Sequence, residues 1–117
     1  MTDNILIDIS MDFSVEIVNM CDLIKGRSAL TNQILRSGTS IGANARESNN
    51  AQSAADFINK LSIALKEADE TAYWMELLHE SDIIDQQQFE SMYNDLKELI
   101  ALLTASIKTC KQNNNIK

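Results

Sequence analysis

At 117 residues, with 44% hydrophobic and 23% charged side chains, the chain is long enough to bury a core and has too many apolar residues for global disorder. Proline is absent and glycine occurs three times, so helices can run almost uninterrupted, while an aromatic content of 5% gives a β-sheet little to build with. A net charge of −7 repels phosphate backbones on average, which counts against a general affinity for nucleic acid.

The first predicted helix covers about residues 4–25. Its apolar residues recur at spacings of three and four, which places them on one helical face. They are Leu6, Ile9, Phe13, Ile17, Met20 and Ile24. The acidic residues Asp8, Asp12 and Glu16 are expected on the solvent side. Gly26 ends this helix, because glycine adopts left-handed dihedrals without strain.

The second predicted helix covers about residues 28–49, with Ser28 as its N-cap. Its apolar residues are Leu30, Ile34, Ile41 and Ala45. Small residues fill its middle, and Gly38 and Gly42 each cost about 1 kcal/mol of helix stability relative to alanine. We therefore expect a partner backbone to pack closely against this stretch, because close packing compensates for such a cost.

The third and fourth predicted helices cover about residues 53–82 and 85–111. Capping signals precede both, since Asp56 follows Ser53 by three residues and a glutamine follows Asp85 by three. The third apolar stripe consists of Phe57, Leu61, Ala64, Ala68, Thr71, Met75 and Leu78. The fourth consists of Phe89, Met92, Leu96, Leu99, Leu103, Ser106 and Cys110.

Four long helices with short connections define the expected fold class. Short connections force sequential helices to run antiparallel, so the sequence predicts an all-α, antiparallel up-and-down four-helix bundle. No linker or internal repeat marks a second unit, and residues 1–117 are predicted to form one domain.

Charge is distributed unevenly along the chain. Residues 1–22 carry −5 and residues 67–98 carry −9, whereas residues 23–66 carry +4 and the remainder +3. Two interpretations stay open: solvated faces that pair with neighbouring helices or subunits, or a local basic patch that meets an acidic partner. The cations that such a patch would offer to nucleic acid are Arg27, Arg36, Arg46, Lys60 and Lys66.

Targeting signals and cysteine usage give an expected compartment. The amino terminus carries Asp3 and Asp8 and no basic run ahead of an apolar stretch, so we expect no signal peptide. No apolar run approaches the roughly 18–20 residues of a membrane span. Cys21 and Cys110 lie among apolar residues, and we expect two reduced thiols rather than a disulfide. The expected location is the cytoplasm, with no membrane partner.

Catalytic and metal motifs are sparse. A di-iron bundle needs two Glu-x-x-His motifs, but Glu76-x-x-His79 occurs once and His79 is the only histidine. Zinc ligand sets, nucleophile elbows and phosphate-binding loops are also missing. We therefore expect no enzyme, no cofactor and no metal site within one chain; a metal shared across a symmetric oligomer is the alternative.

Tyr73 and Trp74 are adjacent on the third helix and must face different directions. An aromatic side chain off the core face can anchor a contact between subunits. It can equally cover the edge of its own bundle, and both interpretations stay open.

The middle of the chain resembles a known family. The octet Ser-Ile-Gly-Ala-Asn-Ala-Arg-Glu resembles the Ser-Ile-Gly/Pro-Ala/Ser-Asn-x-x-Glu signature of the four-helix-bundle proteins first named from intervening sequences in bacterial 23S rRNA genes. The matching residues are Ser40, Ile41, Gly42, Asn44 and Glu47. Residues 30–36, 56–68 and 70–78 are similar to the family's entry into helix two and to its third helix, so the resemblance covers residues 26–84.

This resemblance implies an antiparallel four-helix bundle that assembles into a ring-shaped homopentamer. A relative in diversity-generating retroelements is a basic pentamer that works with a reverse transcriptase and nucleic acid, whereas the family's own role is largely undefined. The chain departs from the pattern at Arg46 and Ser48, where small or apolar residues are common, and lacks the usual Phe-Pro segment between the first two helices. Its acidic charge differs from that of the basic relative and weakens a nucleic-acid role.

Asn44 and Glu47 are three residues apart and share one helical face. Asn44 lies beside the apolar stripe, where a buried polar contact could fix register. The competing interpretation is a pair that faces a ligand.

Three functional hypotheses follow. The first is a non-enzymatic homo-oligomer, pentameric by resemblance, which serves as a scaffold or adaptor and recruits a protein partner. The alternative is a nucleic-acid-binding accessory protein that collects the five middle-segment cations on a rim or channel of the oligomer. A third is a shared metal or small-molecule site at the ring centre.

Overall fold

The computed structural model describes residues 4–116, so the two ends of the predicted domain, residues 1–3 and residue 117, lie outside the described residues. The helices are α1 (Asn4–Leu23), α2 (Ser28–Ser48), α3 (Ala54–Glu80) and α4 (Gln86–Asn113). Each helix contacts the next, and α1 also contacts α4, which closes an antiparallel up-and-down bundle of 48 × 21 × 20 Å. The predicted fold class is confirmed.

Two helix ends differ from their sequence predictions. The α2 N-cap is Arg27 and not Ser28, and no side chain caps this end. The Arg27 carbonyl already accepts hydrogen bonds from the backbone N–H groups of Leu30 and Thr31, so Ser28 is inside the first helical turn and unable to cap it. Helix α1 ends at Leu23, two residues before the predicted end, and Gly26 follows with a φ of +74°.

Both predicted caps of the second half of the chain are present. The Ser53 hydroxyl accepts a hydrogen bond from the Asp56 backbone N–H at 3.0 Å, and the Asp85 carboxylate accepts one from Gln88 at 2.8 Å. The Asp56 carboxylate accepts from the N–H of Gln52, the residue before the cap, at 3.3 Å. These contacts satisfy N–H groups that would otherwise lack a partner at the starts of α3 and α4.

The helices bury most of their predicted apolar stripes around one core, whereas Ile9, Leu30 and Phe89 are only partly buried. All seven stripe residues of α3 are buried, as are Leu6, Phe13, Ile17 and Met20 of α1. Thr71 belongs to the α3 stripe, and its hydroxyl donates a buried hydrogen bond to the Ser37 hydroxyl of α2 at 2.9 Å. This bond fixes the height of α3 relative to α2.

Helix α1 packs closely against the small-residue stretch of α2, as the sequence predicts. A Cβ atom on Gly38 would lie only 2.9 Å from Cγ1 of Ile17. One on Gly42 would lie 3.3 Å from both the Ser10 carbonyl oxygen and the Ser14 hydroxyl. The missing side chains of the two glycines therefore let the α1 backbone approach α2, which offsets the helix propensity they lack.

Candidate functional site

The family-motif residues of α2 mainly build the bundle itself. Ile41 is fully buried and Gly42 faces the α1 backbone. The half-buried Asn44 donates its amide N–H to the Ser40 carbonyl one turn earlier at 2.9 Å, and the Ser40 hydroxyl donates to the Arg36 carbonyl at 2.6 Å. The hydrogen bond shown for Asn44 therefore stays within its own helix, and a role for Asn44 in assembly stays a prediction.

Ion pairs on the surface connect α2 to α3. The ammonium of Lys60 lies 3.2 Å from the carboxylate of Glu47, the last motif residue. The Arg36 guanidinium bridges Glu67, at 3.0 Å, and Glu70. The negative charge of Glu67 is the main reason that the pKa of Arg36 is raised. Carboxylates of α3 thus offset Arg36, and the carboxylate of Glu47 on α2 offsets Lys60.

The five predicted nucleic-acid contacts do not form one compact patch on a single chain. Arg36 and Lys60 are held in the ion pairs above, whereas Arg27, Arg46 and Lys66 are exposed and form no ion pair with any residue in 4–116. Arg27 and Arg46 lie near opposite ends of α2, about 28 Å apart along its axis. A nucleic-acid role for these residues stays a prediction.

Tyr73 and Trp74 face different environments. Tyr73 is 59% exposed on the outer side of α3. Trp74 is half-buried, packs against the core, and donates its indole N–H to the Glu70 carboxylate at 3.2 Å. The two rings meet edge to face at 5.0 Å. Tyr73 is therefore the one of the two that offers its ring to an outside partner; its role as a subunit contact stays a prediction.

The outer side of α1 carries an apolar stripe that the sequence analysis missed. Met11, Val15 and Val18 point away from the core and are 45%, 50% and 48% exposed. Their spacing of four and three residues is the signal that could have revealed a second stripe beside the core stripe. We call these three residues the α1 outer face.

An open groove between α1 and α2 adjoins this face. It has a volume of about 570 Å³, and Met11 contributes to it together with Ile7 from α1. Ala43, Arg46 and Glu47 of α2, on the exposed edge of the family motif, supply part of its other wall. The motif and the apolar side of α1 thus form one continuous surface.

An acidic cluster lies on the opposite side of α1, where this helix meets α4. Glu16 and Asp12 of α1 face Asp95 and Glu98 of α4 across a small groove. The expectation that Glu16 lies on the solvent side is wrong, because the side chain is half-buried against α4. Burial raises the pKa of Glu16 to about 7, with further contributions from a hydrogen bond and repulsion with Asp95 and from repulsion with Asp12.

Histidine and cysteine side chains are engaged in packing. The His79 ring, in the last turn of α3, stacks on Phe89 at 4.2 Å and hydrogen-bonds the Gln86 amide oxygen at 2.7 Å. Cys21 and Cys110 are half-buried free thiols, and burial raises the pKa of Cys21.

Within residues 4–116 no three acidic, histidine or cysteine side chains are grouped so that they could hold a metal ion. None of the helices formed by these residues is long and apolar enough to cross a membrane.

These features define a small all-α protein of the four-helix-bundle class. The family model of the 23S rRNA-intervening sequence protein matches residues 2–105, and the chain belongs to that family. The chain is also similar to a protein of unknown function from the S23 ribosomal protein family of Bacteroides thetaiotaomicron, seen in a 1.70 Å crystal structure. The two are 52% identical with a TM-score of 0.86 over 92% of this chain and 99% of that chain. No curated protein matches the chain.

Proposed function

We propose that the chain is a non-enzymatic, homo-oligomeric scaffold or adaptor of the cytoplasm, pentameric as its family resemblance implies. The observation that carries this proposal is the pair of apolar outer surfaces on a bundle whose core is already complete. Met11, Val15 and Val18 on α1 and Tyr73 on α3 remain exposed although every helix already contributes buried residues to the core. Exposed apolar side chains in a stripe are typical of surfaces that bind another protein chain.

The arrangement of the polar residues supports a binding role over a catalytic one. The sole histidine is stacked on Phe89, and the ion pairs of Arg36 and Lys60 tie helices together. The groove beside the motif is open and mostly apolar, which suits a protein side chain better than a charged substrate.

The mass of the protein in solution tests this proposal. Light scattering coupled to size exclusion is expected to give a mass near five times the chain mass of 13.1 kDa. A mass equal to another multiple of 13.1 kDa would support an oligomer and contradict the pentameric size. A mass of 13.1 kDa at all concentrations up to the millimolar range would contradict the oligomer itself.

The alternative role in nucleic-acid binding has one observation in its favour: Arg27, Arg46 and Lys66 are exposed and form no ion pair within residues 4–116. Because the net charge is −7 and the ion pairs above offset two other cations, we expect no retention of RNA or DNA in a filter-binding titration at low salt. Binding that weakens steeply between two salt concentrations would favour the alternative, and a triple Arg27→Gln, Arg46→Gln, Lys66→Gln variant should then abolish it.

A further inference from the structure

We propose that the α1 outer face of one copy of the chain binds the outer side of α3 of a second copy, with the two helices parallel and at the same height. This inference rests on the proposed function, because it names the surfaces through which the oligomer assembles. The α3 side is formed by Ile63, Lys66, Tyr73 and Leu77, which we call the α3 outer face.

The two faces belong to helices that lie diagonally across the bundle. Helices α1 and α3 both contact α2 and α4 and, within the described residues, do not contact each other. The residues of the α3 outer face follow the same alternation of three and four residues as Met11, Val15 and Val18, once Glu70 is counted between Lys66 and Tyr73. Each face therefore presents a heptad-like stripe, and the two stripes point away from opposite sides of the molecule.

Contacts through α2 show that the two faces are at matching heights. Gly38 packs against Ile17 of α1, and the preceding residue of α2, Ser37, is hydrogen-bonded to Thr71 of α3. Ile17 and Thr71 are therefore level. Because α1 and α3 run in the same direction with a rise of about 1.5 Å per residue, Val18 and Tyr73 differ in height by only about 2 Å.

The same construction aligns charged residues. Asp12 lies five residues before Ile17, and Lys66 lies five residues before Thr71, so the carboxylate of one copy is level with the ammonium of the next. Lys66 is exposed and forms no ion pair with residues 4–116 of its own chain. The one acid in the α3 stripe, Glu70, is already paired with Arg36. Asp12 follows Met11 and lies at the edge of the α1 outer face toward α4, so Lys66 of the second copy adds a charge pair beside the apolar contact.

Charge also disfavours a symmetric contact of the α1 outer face with itself. Helix α1 carries four acids and neither lysine nor arginine, so two copies joined through this helix would bring acid against acid. The acids are Asp8, Asp12, Glu16 and Asp22. A contact between two different faces on opposite sides of a chain repeats from copy to copy and closes into a ring when the rotation permits. Such a contact allows an odd number of subunits.

Two variants that each destroy one face test the inference. Val18→Glu removes the α1 outer face and Tyr73→Glu removes the α3 outer face, so each protein alone is expected to fall to a mass of 13.1 kDa. Each variant keeps the face that the other has lost. An equimolar mixture is therefore expected to form a complex of two chains and nothing larger. Ala101→Glu, an exposed change on α4, is the matched control and should keep the wild-type mass.

Exchange of charges gives a second, milder test. Asp12→Lys and Lys66→Glu are each expected to lower the oligomeric fraction, and the double variant is expected to restore it. Circular dichroism of every variant should show wild-type helicity, because all five substituted positions are exposed.

The outcomes separate this inference from the proposed function. If both Val18→Glu and Tyr73→Glu keep the mass of the wild-type oligomer, the inference is overturned, whereas the proposed oligomer is still supported. A mixture that remains monomeric would also overturn the inference, because a contact between two different faces must rescue it. A monomeric wild-type protein would overturn both the proposed function and the inference.

Discussion

Replacement of Gly38 by alanine is expected to lower the free energy of unfolding by about 1 to 2 kcal/mol, although alanine favours a helix by about 1 kcal/mol over glycine. The new Cβ would lie 2.9 Å from Cγ1 of Ile17 and 3.1 Å from each of two further carbons of that side chain. Ile17 is fully buried, and its β-branch restricts it to one rotamer in a helix, so it has little room to yield. Urea denaturation followed by circular dichroism measures the change.

A double-mutant cycle isolates this contact. Ile17→Ala alone is expected to cost about 2 to 5 kcal/mol, because it opens a cavity in the core. The double variant should lose less unfolding free energy than the sum of the two single losses, by about 1 kcal/mol or more. The reason is that the methyl group of the new alanine at position 38 partly fills the cavity.

Gly42→Ala is the matched control for the cycle. Its Cβ would meet Ser10 and Ser14 at 3.3 Å and not Ile17, so its effect should add to that of Ile17→Ala within about 0.5 kcal/mol. A Gly38→Ala protein more stable than wild type would contradict the close approach of α1 and α2 that the structure shows.

Much of the fold could be predicted because each helix records its buried side in its own periodicity. The seven apolar stripe residues predicted for α3 are the seven that the helix buries. The caps at Ser53 and Asp85 could also be predicted, since a cap involves residues only three apart. The prediction of Ser28 as the α2 N-cap is wrong. The backbone hydrogen bonds to the Arg27 carbonyl start the helix one residue earlier, and backbone hydrogen bonds leave no signal in the sequence.

Contacts between helices could not be predicted in the same way. Periodicity defines the buried side of a helix and says nothing of its height or rotation against a neighbour. The pairing of Arg36 with Glu67 spans 31 positions, and the hydrogen bond from Thr71 to Ser37 spans 34. Glu16 was assigned to solvent for the same reason: whether a residue at the edge of a stripe is covered depends on how closely α4 approaches.

The α1 outer face is a different case, because its signal was present in the sequence. Met11, Val15 and Val18 alternate at four and three residues, as the core stripe of α1 does. A helix with two apolar stripes is typical of a bundle that has neighbours outside itself, and it is detected when each helix is searched for more than one face. The candidate site therefore could have been found in part, whereas its alignment with the α3 outer face required the structure.

Stability is expected to fall by about 1 to 2 kcal/mol as the pH rises from about 5 to about 8, owing to Glu16. Burial against α4 raises its pKa from an ordinary 4.5 to about 7, so between these values the folded state keeps a proton that the unfolded state releases. The contribution is complete below pH 4.5 and is lost as the pH passes through 7. The magnitude stays below that of the full pKa shift, because water screens much of this side chain.

Glu16→Gln should remove this part of the pH dependence, because the amide stays neutral. The charged groups that face position 16 are all acidic: Asp12 from α1 and Asp95, Glu98 and Asp85 from the α4 side. At pH 8 the variant is therefore expected to be more stable than wild type by about 1 kcal/mol, and near pH 4.5 the two should coincide. Thermal or urea denaturation at both pH values gives the comparison.

Asp22→Asn is the matched control, since it removes one negative charge from α1 at an exposed position. Asp22 lines neither the groove of Glu16 and Asp95 nor the neighbouring groove between Glu16 and Asp85. This variant should show the same fall in stability between about pH 5 and about pH 8 as the wild-type protein. An equal gain from Asp22→Asn and Glu16→Gln at pH 8 would mean that general repulsion along the acidic helix, and not the burial of Glu16 against α4, sets the pH dependence. A profile that stays equally steep in Glu16→Gln would contradict the assignment of this pH dependence to Glu16.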